Sequence, residues 1–348
     1  MSITPSSPGI LTWRLEKKNL PLRFLWKIAR GSLETKEVFF LTVSDGTFSG
    51  MGEVSPNTRY GNTPAIIERD FGRLKEASTQ EPGLSKMQLG SYGRWLDHLS
   101  LCQTVRFGAE SAWVHLQSGR AGKPVSEYLG LSAVEEVATC FSVPIMDPGK
   151  IQDYLAPLAR FRSIKIKVDA QTGTETIREV SKHTQQCLRI DGNETWEDPD
   201  EFMRFVESLR GKNIDFIEQP MPASMEAAYG EILPLIPWPL IADESITDHA
   251  DFASLQRQFS GVNIKLMKTG GYVRAIELLK EARARGMKTM LGCMVETSLG
   301  ISSAMHLASL IDYADLDGFL LLKEDPFGLV EENGGLLRLT HNTVRKPA

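Results

Sequence analysis

From about residue 138 onward, short apolar runs alternate with stretches of helical periodicity, and no Pro/Gly/Ser-rich linker interrupts them. The runs span 138–145, 163–169, 187–193, 216–220, 240–245, 262–266, 288–294 and the very short 314–318. Between them, helices carry their own start and stop signals. Asp198-Pro199-Asp200-Glu201 offers an N-cap, a proline at the first helical position and a capping-box glutamate, and Gly211 follows the last apolar position, Leu209. Ile276, Leu279 and Ala282 repeat at helical spacing before Gly286. Eight strands joined by helical crossovers predict an α/β fold, a closed (β/α)8-type barrel, because parallel strands need crossovers and eight of them close a sheet without an edge. An open doubly wound sheet is the alternative.

The first 130 residues are patterned differently. An apolar run at 38–43, a turn at 44–47 and a second run at 48–54 predict a meander, and helical periodicity follows at 64–77 and 107–117. The expected organisation is an N-terminal α+β domain over 1–130 and the barrel over 131–325. The Gly- and Pro-punctuated segment 326–348 is expected to pack back on the first domain.

With 348 residues, 42% of them hydrophobic and 24% charged, the chain is long and apolar enough for a large core. Lys plus Arg number 39 against 44 Asp plus Glu, a net charge of −5 with no basic block, so no nucleic-acid partner is expected. The start lacks a secretory pattern, and the longest uncharged run, 297–311, is 15 residues, short of the roughly 18 a membrane span needs. No membrane partner and a cytoplasmic location are expected. Cys102, Cys140, Cys187 and Cys293 show no CxxC spacing, which suits a reducing compartment.

The chemistry lies in charges set inside strand patterns, because the C-terminal ends of barrel strands face the mouth where such folds keep their sites. Lys165 and Lys167 end the second strand, Asp191 the third, Glu218 the fourth, Asp243 the fifth and Lys265 the sixth; the seventh carries Cys293 with Glu296 beyond it, and the eighth carries Asp315 and Asp317. From Lys167 to Lys265 the steps are 22 to 27 residues, each about one βα unit. Asp191, Glu218 and Asp243, on three adjacent strands, suit one hard cation with oxygen ligands, Mg2+ above all. The plainer alternative is that these acids only pair with the lysines. Lys167 and Lys265 lie four strands apart and so approach the axis from opposite sides, a two-base geometry for moving a proton at a carbon next to a carboxylate. Lys165, on the same strand face, would depress the pKa of Lys167 by like-charge repulsion. Asn193 and Glu244 are expected to support the metal ligands rather than bind the ion. Lys268, at an odd offset from Lys265, is expected on the other face of the strand.

The segments KIK at 165–167, DGN at 191–193, EQP at 218–220, DES at 243–245, NIKLMKTGG at 263–271, GCMVET at 292–297 and DLDG at 315–318 together resemble the enolase superfamily, and within its muconate-lactonising subgroup the dipeptide epimerases. The likeness runs from the second barrel strand to the eighth, and Gly52 to Pro56 looks like a piece of that family's capping domain. The resemblance implies a modified TIM barrel with Mg2+ on Asp191, Glu218 and Asp243, and with Lys167 and Lys265 as the acid/base pair. It further implies inversion of a dipeptide's C-terminal α-carbon through an ene-diolate, with the substrate ammonium on Asp315 and Asp317, and with Cys293 and Glu296 lining the pocket. L-Ala-D/L-Glu, a cell-wall peptide fragment, is the family's best-known substrate, and family members often form homo-oligomers.

Alternatives stay open. An N-cap or a surface acidic pair would also account for Asp315 and Asp317. A cycloisomerase or o-succinylbenzoate synthase would use the same lysines and metal, and a non-catalytic barrel would use none of them. Side-chain preference is expected from capping loops around 23–31 and 55–61, where Arg23, Arg30 or Arg59 would suit an acidic substrate and Phe24, Trp26 or Tyr60 an apolar one.

Overall fold

The computed structural model describes residues 11–29 and 31–340. Its first element is one the apolar pattern did not announce: a 17-residue strand, β1 (Thr12–Ile28). It pairs antiparallel with β2 (Gly31–Ser44), which pairs in turn with β3 (Ser49–Val54). Charged and apolar residues alternate so irregularly in β1 that no period-2 signal stands out, and its register slips between Pro21 and Trp26. The expected loop at 23–31 is therefore largely the end of a hairpin, with Trp26 opposite Leu33. Arg30 lies outside the described residues.

Three helices follow, Pro64–Thr79, Leu89–His98 and Gln103–Ala121. The last is buried almost all round, because β3 covers one side and the barrel another. Contact with β3 is made backbone to backbone. A Cβ on Gly52 would stand 2.1 Å from Gly108 O, and one on Gly50 would stand 1.9 Å from Ala112 O.

The barrel forms as the pattern predicts. After the short β4 (Val137–Ala138) come β5 (Phe141–Val143), β6 (Ser163–Lys167), β7 (Cys187–Asp191), β8 (Ile214–Glu218), β9 (Leu240–Ala242), β10 (Gly261–Ile264), β11 (Lys288–Gly292) and β12 (Tyr313–Asp315). The eight strands from β5 to β12 pair in sequence order, all parallel, and a parallel bridge from Thr139 to Ala314 links the two ends of the sheet. Asp198 caps its helix as expected, its side chain accepting from Asp200 N at 2.9 Å.

Two expectations are corrected. The run 138–145 is not one strand: Val137–Ala138 pairs with β14 (Leu336–Leu339), which forms a hairpin with β13 (Val330–Asn333), and only Phe141–Val143 enters the barrel. Thr139 and Cys140, between them, turn their side chains to Leu316 N and the Asp315 carboxylate instead of continuing the strand. The sixth barrel strand stops at Ile264, and Lys265 begins a short helix, Leu266–Thr269, closed by Gly270 at φ 80°. In the C-terminal segment, the ring of Phe327 meets Phe40 of β2 edge-on at 4.8 Å.

Because β3 and the buried helix touch through glycines, Gly52→Val is expected to destabilise the protein by about 2–3 kcal/mol through overpacking. A urea midpoint equal to wild type would contradict this close approach.

Candidate active site

Strand register does the first part of the work. Lys167 pairs with Asp191 and Asp191 with Glu218, so these three side chains end neighbouring strands at one level of the barrel. Asp243 lies just beyond β9 and Lys265 just beyond β10. The order round the ring is lysine, three acids, lysine.

The three acids and Lys265 are buried and Lys167 is nearly so, with 11% of its side chain exposed, and charges withdrawn from water need partners. The Nζ of Lys165 lies 2.9 Å from Asp191, 2.7 Å from Glu218 and 2.7 Å from Asp315, with 1% of its side chain exposed. Lys167 reaches the same Asp191 oxygen at 2.5 Å, so two ammonium groups meet on one atom. Lys265 holds one oxygen of Asp243 at 2.8 Å and Lys268 the other at 2.6 Å. Lys268 does avoid the role of base, but not by facing away along a strand: it sits on the short helix and folds back onto Asp243, also donating to Asn263 O.

These contacts set the protonation states. Burial works against the charge on Asp191, but Lys165 and Lys167 hold it well below the usual carboxylate range; Lys265 and Lys268 do the same for Asp243. Burial opposes the charge on Lys165, and Asp191, Asp315 and Glu218 outweigh it, raising its pKa; Asp243 likewise outweighs burial for Lys265. Glu218 goes the other way, pushed up to about 7 by burial and by Asp191. Its Oε1 accepts from Asn263 Nδ2 at 2.8 Å, whereas Oε2 faces Lys165 without hydrogen-bond alignment.

As the side chains stand, no three Asp, Glu, His or Cys groups among the described residues surround a common point at ligand distance. The ammonium of Lys165 takes up the convergence of Asp191, Glu218 and Asp315. The donor set of Asp191, Glu218 and Asp243 nevertheless fits a hard divalent ion. It offers three buried carboxylates on adjacent strand ends, one of them with a poorly satisfied oxygen.

A cavity of about 170 Å³ opens over this ring. Lys165, Lys167, Asn193, Asp243, Glu244, Lys265, Cys293, Asp315 and Asp317 line its barrel side, and Trp26, Ile28, Leu33, Lys36, Asn57 and Tyr60 come from the N-terminal part. Asn193 supports Asp191 through its backbone N–H, at 3.0 Å, in a left-handed conformation with φ 45°. Asp317 accepts from Ser142 N at 2.6 Å, and burial and then Asp315 push its carboxyl up to about 7. Burial raises the Cys293 thiol well above its ordinary pKa, so it is a wall and not a nucleophile.

Several specificity candidates lie elsewhere. Glu296 is not among the lining residues; its carboxylate turns back to Met294 N at 2.7 Å. Arg23 donates to Leu322 O, Arg59 forms a two-point ion pair with Glu194, and Phe24 packs edge-on against Tyr154. Lys36, Ser142 and Asn263 went unread in the sequence, as did Gln219, whose amide accepts from Asp243 N and Ser245 N. Gln219 and Asn263 left a trace there, inside the EQP and NIKLMKTGG segments.

Comparison with known proteins gives the family. Residues 151–326 match the family described as enolase C-terminal domain-like. The chain belongs to that family. A Pedosphaera parvula relative, an L-Ala-D/L-amino acid epimerase, is 35% identical, the alignment covering 92% of this chain and 93% of that one. A hydrophobic dipeptide epimerase of Roseobacter litoralis is 31% identical, covering 91% and 92%. Among solved enolase-family structures, one from Agrobacterium tumefaciens with homology to dipeptide epimerases, holding sodium and L-Ala-L-Glu, superposes with a TM-score of 0.87 at 29% identity, covering 95% of this chain and 98% of that one.

The enolase-type barrel is tied to the N-terminal part by Glu53 of β3, whose buried carboxylate accepts from Thr297 N at 3.0 Å and Gly300 N at 3.1 Å, capping helix Ser298–Met305. Burial and the charge of Glu296 push Glu53 up to about 8, and burial pushes Glu296 up to about 7. A carboxyl whose pKa is raised by folding stabilises fully below its ordinary value of 4.5, and that contribution fades as pH rises toward about 8. Stability is expected to fall over this window by up to about 1.4 kcal/mol per pH unit per proton, and Glu53→Gln to flatten the fall. Urea titrations at pH 5, 6, 7 and 8 with the same slope for both proteins would refute the assignment.

Proposed function

We propose that this chain is an isomerase, a dipeptide epimerase that inverts the α-carbon of the C-terminal residue. The observation that carries the reading is the ring order: three carboxylates on neighbouring strands with one lysine at each end, Lys167 on Asp191 and Lys265 on Asp243. Mg2+ is the cation proposed for Asp191, Glu218 and Asp243. Bound there, it would supply positive charge to the substrate carboxylate and so make the neighbouring C–H more acidic.

The protein's own groups do the rest. A neutral lysine amine on one flank takes the α-proton, the C–H electron pair moves into the carboxylate, and the ammonium on the other flank returns a proton to the opposite face. The barrel and the N-terminal hairpin wall the cavity and limit water around the carbanion. Asp315 and Asp317 favour a dipeptide over substrates without an ammonium. Two buried carboxylates face the cavity, and burial and then Asp315 push the second up to about 7, which opposes its charge unless a cation lies beside it. A free N-terminal ammonium meets that need. Muconate and succinylbenzoate do not.

In deuterium oxide, wild type is expected to wash deuterium into the α-position of both epimers of a dipeptide. Lys167→Ala and Lys265→Ala are each expected to lose epimerisation by about a hundredfold or more while keeping exchange for at most one epimer, a different one in each variant. Loss of exchange from the same epimer in both would put the two lysines on one face and defeat the mechanism. Glu218→Gln is expected to weaken Mg2+ binding at least about tenfold by calorimetry; unchanged affinity would remove Glu218 from the ligand set.

A further inference from the structure

Lys36 is a charged cavity residue that the mechanism leaves unused. It comes from β2, opposite Leu20 in the register with β1, and faces the cavity lined by the catalytic lysines. Its Nζ donates to Pro56 O at 2.9 Å, and among the described residues it forms no ion pair. An ammonium has three N–H donors, so two remain for a ligand. The surrounding walls are apolar: Trp26, Ile28, Leu33, Met294, Val295 and Leu321. Burial pulls its pKa down, and the more distant carboxylates of Glu296, Glu53 and Glu37 only partly oppose this, so the cation is short of negative charge.

Geometry aims one substrate substituent at it. When the α-proton leaves, the carbon becomes planar, with the carboxylate, the amide nitrogen and the side chain in the plane and the two lysines above and below it. The carboxylate belongs with the acids of β7 to β9, and the amide nitrogen leads toward Asp315 and Asp317 at the end of β12, across the ring. The side chain is left with the direction of the barrel axis. Downward, the interior is filled by Phe216, Ile241 and Met290, which are fully buried on the strands that carry the site. Upward lie the β1–β2 hairpin and Lys36.

We propose that Lys36 determines specificity by binding a carboxylate at the end of the side chain being inverted, so that the preferred dipeptides end in an acidic residue. The inference rests on the epimerase reading above. The methylenes of such a side chain would lie along Trp26, Ile28 and Leu33, and its carboxylate would meet the ammonium in a dry setting, where a charged hydrogen bond is strong. This assigns to a strand of the N-terminal sheet the role expected of Arg23, Arg30 or Arg59; Arg23 and Arg59 are engaged with Leu322 O and Glu194, and Arg30 lies outside the described residues.

The test compares kcat/KM for L-Ala-L-Glu, L-Ala-L-Leu and L-Ala-L-Lys, with α-deuterium uptake as an independent readout. Wild type is expected to favour the glutamate dipeptide. In Lys36→Met the Glu-to-Leu ratio of kcat/KM should fall about tenfold to a hundredfold, mainly through KM for the glutamate dipeptide, and Lys36→Arg should restore most of it. A ratio unchanged in Lys36→Met, even if both activities drop through poorer folding, overturns the assignment, as does a wild-type preference for leucine or lysine. Absence of deuterium uptake from every dipeptide would overturn the epimerase reading itself, and the Lys36 assignment with it. Uptake that does not depend on Lys36 would overturn only the latter.

Discussion

The site exists because buried acids and buried ammonium groups hold one another out of water. Asp191, Glu218 and Asp243 are almost wholly removed from solvent, and isolated carboxylates there would protonate or unfold the strand ends. Lys165, Lys167, Lys265 and Lys268 prevent this by sharing oxygens: two ammonium groups on one oxygen of Asp191, and one on each oxygen of Asp243. The balance is not complete. Burial first, and then the neighbouring Asp191 and Asp315, raise Glu218 and Asp317 to about 7, so their charged forms still lack compensation. A divalent cation on one side and a substrate ammonium on the other are the charges such an imbalance would accept.

That balance depends on strand register, which in turn depends on the packing behind it. A slip of one residue in β7 would turn Asp191 away from the axis and bring Ile190 in. Ile190 instead joins the core outside the ring, and Phe216, two residues before Glu218, fills the barrel beneath the site. Asn263 and Gln219 then trim the side chains, one binding Glu218 and the other holding the backbone at Asp243 and Ser245. Gln219 does so at φ 31°, a conformation a side-chain-bearing residue adopts only when its surroundings compensate.

The barrel was readable in the sequence because buried parallel strands are continuous apolar runs and each ends in a charge. Residues such as Lys167, Asp191 and Glu218 stand out as the wrong polarity at the right spacing. The strand ends were less readable: side-chain bonds from Thr139 and Cys140 broke the first run, and a short helix begins at Leu266, directly after the extended Lys265, where the run was expected to continue. β1 was invisible because it packs one irregular face and leaves much of the other in water, so its seventeen residues carry no steady alternation. Glu296 was expected to line the pocket on the strength of the family resemblance alone, yet its carboxylate accepts locally from Met294 N.

Lys36 shows why the machinery and the selectivity differ in legibility. A catalytic group sits at a position set by its own strand, so its spacing from the next such group repeats along the chain. A group that reads the substrate's far end need only come within reach of the cavity, and it can arrive from any element folded over the mouth. Lys36 lies in a strand where neighbouring Glu34 and Glu37 make one more charge unremarkable. What distinguishes it is that β2 carries it to the cavity rim, beside Pro56 O and against apolar walls, and that placement is decided by the contact between sheet and barrel. The same contact runs through Glu53, which fastens β3 to helix Ser298–Met305 at the edge of the cavity wall formed by Met294 and Val295. The position of the N-terminal sheet thus fixes both the enclosure of the reacting carbon and the distance at which a side chain is read.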